Sequence, residues 1–108
     1  MSDPLVHPAS RQIVVREDWL QQTQEPILEP TLPIVDPHHH LWAKDHGDYL
    51  LPDLLKDTGS GHDIRGTIFV QCGEMYRAHG PAEEKSLGET EFVTGVAAMS
   101  ASGRFGAT

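Results

Sequence analysis

A chain of 108 residues suffices for one small domain or for part of a larger one. Its 16 acidic residues outnumber 8 basic ones for a formal net charge of −8, and neither Lys nor Arg clusters; nucleic acid and anionic membranes are therefore not expected partners, whereas a small-molecule substrate fits the balance. No apolar run nears the ~20 residues of a membrane span, Met1-Ser2-Asp3-Pro4 does not open a signal sequence, and the lone Cys72 cannot form an internal disulfide, so a soluble protein of the reducing cytoplasm is expected.

Seven of the eight prolines lie between Pro4 and Pro52. Residues 1–33 read as an extended arm with one short helix around Arg16–Gln24, ended by Pro26. Leu32, Ile34 and Val35 then form an apolar run before Asp36-Pro37 and three consecutive histidines, His38-His39-His40. Residues two apart on an extended chain share a face, which points His38 and His40 the same way, roughly 6.6 Å apart along the strand. Two imidazoles on one face can converge on one metal ion. Pro37 removes a backbone donor, which predicts that the regular strand ends by Asp36 and that the histidines occupy the following loop. Leu50, Leu51, Leu54 and Leu55 recur at helical spacing around Pro52, which a first turn tolerates, and Gly59 marks the stop. Thr67-Ile68-Phe69-Val70-Gln71-Cys72, bounded by Gly66 and Gly73, predicts a strand buried on both faces. A polar loop follows from Gly73 to Lys85. Ser86 and Glu89 stand at capping-box spacing, and Phe92, Val93, Val96, Ala97 and Met99 give the apolar stripe of a second helix before Gly103.

The order strand, helix, strand, helix favours an α/β fold with a parallel sheet and right-handed crossovers. Two such units leave strand edges unpaired, so Thr108 reads as a truncation point, with a homo-oligomer that covers its own edges as the other arrangement.

Ile34-Val35-Asp36-Pro37-His38-His39-His40-Leu41-Trp42 resembles the opening strand of the amidohydrolase superfamily, in particular its amidohydrolase-related branch of lactonase-like and decarboxylase-like enzymes. The likeness extends through Tyr49-Leu50-Leu51, Thr67 to Cys72, Met75-Tyr76-Arg77 and Gly88-Glu89-Thr90-Glu91-Phe92-Val93, covering roughly residues 16–103. It implies a TIM (β/α)₈ barrel, which typically needs ~250 residues. Residues 34–108 would supply its first two units, an incomplete barrel behind the arm of residues 1–33. It further implies metal-assisted hydrolysis of a cyclic ester (lactone) or amide of a small metabolite, performed by a full-length parent. His38 and His40 match the family's paired ligands for a divalent ion, zinc first, at about 2.0–2.1 Å; some lactonases of this branch are thought to work without metal. The remaining ligands and the general base would lie beyond Thr108.

Other residues carry two readings each. Asp36 either orients an imidazole from behind or simply ends the strand. His39 faces away from the pair, toward packing beneath the adjoining helix. Glu74, Tyr76 and Arg77 either line a substrate pocket above the second strand or belong to a solvated loop, and Cys72 reads as a strand-end packing residue. Glu89, Thr90 and Glu91 find sufficient explanation in the helix dipole. His7, His46, His62 and His79 read as surface histidines. Outside the enzyme reading stands a catalytically inactive fragment or weak metal-binding module.

Overall fold

The computed structural model describes residues 15–45 and 47–106. The expected arm before Val15, together with His7 and His46, lies outside the described residues. Helix α1 (Glu17–Leu20) is followed by strands β1 (Pro33–His39), β2 (Trp42–Lys44) and β3 (Gly47–Tyr49), helix α2 (Leu51–Thr58), strand β4 (Asp63–Phe69), a single 3₁₀ turn (Ala82–Glu84) and helix α3 (Leu87–Ala101). The helix expected at Arg16–Gln24 shortens to α1 and stops well before Pro26, because none of its residues is buried and a single turn without packing does not propagate.

β1 and β4 pair in parallel from Pro33↔Asp63 to His39↔Phe69, with the register slipping between Ile34 and Val35 and again between Asp36 and His39. The second slip explains how β1 passes Pro37 instead of ending at Asp36. The irregularity takes Pro37 out of the ladder, so its missing donor is not needed there, and the backbone N–H of His38 turns to Asp36 Oδ1 at 3.1 Å. One residue past the strands, Val70 N–H donates to the His39 carbonyl at 2.9 Å. β4 itself begins at Asp63, four residues before the expected start at Thr67, and Gly66 lies inside it opposite Val35.

Leu41 to Tyr49 contains a second sheet, which the sequence reading did not anticipate. β2 and β3 pair antiparallel, Trp42 opposite Tyr49, with the two rings stacked at a centroid distance of 5.1 Å. Tyr49 OH donates to Asp57 on α2, and burial first, then this carboxylate, raise the phenol above its ordinary pKa. α2 starts where Asp53 Oδ2 accepts from Leu50 N–H at 3.0 Å. Leu41 and Leu51, 1 % and 2 % exposed, are the fully buried apolar side chains among the described residues.

These findings correct the expected fold class. The four described strands form two separate two-stranded sheets, one of them antiparallel, which is not the all-parallel beginning of a (β/α)₈ barrel. The physical cause is local: an aromatic cross-strand pair closes β2 on β3 where a β-to-α connection was expected. Among the described residues no helix is long and apolar enough to cross a membrane.

Candidate functional site

The end of the β1–β4 pair brings His38 and His40 together. Their Nε2 atoms lie 3.2 Å apart, with the rings perpendicular and their centroids 4.9 Å apart. On its other side, His40 Nδ1 is 2.7 Å from the Val70 carbonyl oxygen. A carbonyl only accepts, so His40 Nδ1 carries the hydrogen. In the neutral ring His40 Nε2 is then a bare lone pair, and His38 Nε2–H donates to it. Hydrogen bonding thus assigns both tautomers. Phe69 meets the half-buried His40 edge-on at 6.4 Å, while His38 is exposed.

Asp36 spends one oxygen on the His38 backbone, and the imidazole acceptor at this site is the Val70 carbonyl. His39 faces the opposite side, where its ring meets Phe69 at 5.7 Å and lines the cleft beneath α2 and α3. Burial is the main cause that lowers the pKa of its imidazole, against the raising charge of Asp36.

In the loop after β4, Tyr76 and Arg77 are exposed, as a solvated loop would have them, whereas Glu74 is buried. Glu74 is 6 % exposed: Oε1 accepts from Ala43 N–H at 3.2 Å, and Oε2 pairs with Lys44 Nζ at 2.8 Å. The hydrogen-bonding and charge of Glu74 raise the Lys44 pKa. Tyr76 OH accepts from Gln71 Nε2 at 2.5 Å, and Arg77 pairs with Glu91 at 2.5 Å. Glu74 therefore holds structure, while Arg77 with Glu91 and Gln71 with Tyr76 form exposed surface pairs.

Sequence reasoning missed the role of Glu89. No side-chain cap forms between Ser86 and Glu89. Glu89, 4 % exposed, turns instead toward the loop, where Oε2 accepts from Cys72 N–H at 3.0 Å, Glu74 N–H at 2.8 Å and the Cys72 thiol at 3.6 Å. Burial pushes this carboxyl up, but the backbone N–H donors of Glu74 and Cys72 outweigh it and leave the pKa below its ordinary value. Burial, then the Glu89 charge, raises the Cys72 thiol. The signal in the sequence is the same three-residue spacing that suggested a capping box, and only the placement of the loop decides which N–H groups the carboxylate meets.

No family model, curated protein or solved structure matches the chain. The resemblance to the amidohydrolase superfamily is corrected accordingly, since an Asp-x-His-x-His pattern is too short to specify a barrel and the antiparallel β2–β3 sheet departs from one. Among the described residues, no group of three or more His, Cys, Asp or Glu side chains stands together to hold a metal ion. His38 and His40 are two donors without a third, so the expected zinc or other divalent cofactor is corrected as well. So are the metal-dependent hydrolysis of a lactone or amide, the assignment as an amidohydrolase-family enzyme, and the weak metal-binding module.

Proposed function

We propose that this chain binds a small, neutral, hydroxyl-bearing molecule, with the His38–His40 pair as its recognition centre. The observation that carries this reading is the direct Nε2–Nε2 hydrogen bond at 3.2 Å, held in one sense by Val70. The pair presents one donor and one acceptor side by side. A hydroxyl is the group that both donates and accepts, so a ligand hydroxyl inserted between the rings would take the proton of His38 Nε2 as acceptor and give its own to His40 Nε2. An anion would use only the donor, and the chain's net charge of −8 also disfavours it. A reducing cytoplasmic setting is part of the proposal, supported by a single cysteine, Cys72, which has no second cysteine in the sequence to pair with.

The test is titration with glycerol, followed by the ring nitrogen resonances of the histidines. His38 and His40 shift together while His62 and His79 stay in place, and His38→Phe abolishes the shift of His40. Equal movement of all four rings, or none, refutes the proposal.

A second reading is association of two copies, favoured by Val35 and Ile68. Register places them on one face of the β1–β4 sheet, and they are 60 % and 53 % exposed.

A further inference from the structure

Strand β4 is bonded on one side only. Its partner is β1, and among the described residues no other backbone group bonds to Asp63–Phe69. The outer edge of β4 is therefore a row of backbone donors and acceptors open to another extended chain.

A groove runs beside that edge. Two clefts, of about 490 and 380 Å³, meet at Phe69 and Val93 and together follow the chain from Ile64 to Gln71 along α3. At about 3.3 Å per residue this stretch is roughly 26 Å long, the span of a strand rather than of a compact small molecule. Its lining is mixed. Val93 and Val96 of α3 lie among Thr67, Ser100 and Gly66, and glycine has only backbone to offer. The helix wall is also short of cover, since of the 15 residues of α3 only Gly88 and Glu89, in its first turn, are buried.

Two acidic or basic residues line the groove. Glu89 turns its carboxylate to the backbone of the 72–74 loop and is occupied there. Arg65 gives only Nε to Asp63, at 2.9 Å, and its two terminal nitrogens meet no acceptor among the described residues. The charge left to answer is thus positive and stands near the start of β4.

We propose that this groove binds an extended peptide of another protein, added to β4 as a third strand, with apolar side chains at alternate positions toward α3 and a carboxylate at the Arg65 end. The free edge specifies an extended backbone, α3 the apolar alternation, and Arg65 the acid. None of the lining belongs to the His38–His40 pair or to the exposed face of Val35 and Ile68, so this site stands or falls apart from both.

The experiment uses the full chain and two end-capped peptides, Val-Thr-Val-Thr-Val-Thr with a glutamate added at the amino end of one and at the carboxyl end of the other. Binding shifts the methyl resonances of Val93 and Val96, and at ten times Kd it slows exchange of the outward amides of β4 about tenfold. The peptide whose glutamate reaches Arg65 binds about threefold more tightly, the scale of one exposed ion pair, and Arg65→Gln makes the two equal. A version with methylated backbone nitrogens keeps the side chains and does not bind. Undiminished binding of the methylated peptide, methyl shifts without slowed exchange, equal affinities in the unaltered chain, or no binding at about 1 mM overturns the proposal. So does a dimer whose β4 amides are already protected without peptide, because the edge then belongs to a second copy.

Discussion

Glu89 shows how much can rest on one buried carboxylate. It gathers two backbone N–H groups and a thiol from the segment 72–74; the thiol also reaches the Leu41 carbonyl, whereas the N–H of the buried Glu74 would lack an acceptor without it. Leaving a buried donor unpaired costs about 1–3 kcal/mol, so Glu89→Ala is expected to destabilise the chain by about 3 kcal/mol in urea unfolding, whereas Thr90→Ala on the exposed side costs little. The sign of the pH effect follows from the direction of the shift. The folded state holds Glu89 below its ordinary carboxyl value, so its contribution is complete above the unfolded pKa, near 4.5, and is lost as pH falls through the lower folded value. Unfolding midpoints of the unaltered chain and of Glu89→Gln should therefore converge as pH falls below about 4.5. A constant separation down to pH 2 would show that the carboxylate's charge has no part in holding the loop.

At the scale of elements, the first turn of α3 is docked as much by shape as by hydrogen bonds. A Cβ on Gly88 would meet the Met75 carbonyl and stand 2.6 Å from the Arg77 nitrogen, so only glycine lets the helix approach the loop this closely. Met75 holds a left-handed φ of 57°, an uncommon conformation for a residue with a side chain, and Arg77 N–H bonds to the Lys85 carbonyl at 2.9 Å. Gly88→Ala is thus expected to lower the melting temperature by about 5–10 °C, a loss of about 1–2 kcal/mol for a chain of this size, and Gly95→Ala, which meets nothing in space, to raise it slightly. A Gly88→Ala variant as stable as the unaltered chain would contradict the close docking. The helices themselves were legible, α2 because the Leu50 to Leu55 spacing reports a period that needs no partner, and α3 from its run of apolar residues before Gly103, although Ala97 and Met99 of the expected stripe are exposed and do not form a buried face. The β2–β3 hairpin was not, since three-residue strands are too short to show alternation and their pairing is a non-local event.

For the whole molecule the open question is what lies against the exposed face of the β1–β4 sheet. Val35 and Ile68 there are more than half exposed, and two strands alone are marginal without further cover. If two copies meet through this face, sedimentation equilibrium shows a concentration-dependent dimer that Ile68→Lys returns to monomer; a monomer at all concentrations sinks the second reading. The amino-acid sequence by itself determined the helical periods of α2 and α3, the β-prone run that ends β4, and the placing of His38 and His40 on one side of an extended segment, because these depend on residue type and spacing within a few positions. Tertiary structure decided the rest. It carried β1 past Pro37 by a slip in register, closed Trp42 on Tyr49, set Val70 behind His40, turned Glu89 from a helix start into the clasp of a loop, and brought no third ligand among the described residues to the two histidines. Each of these is a contact between residues distant in the chain, and the short His-x-His pattern holds no information about which distant groups will meet it.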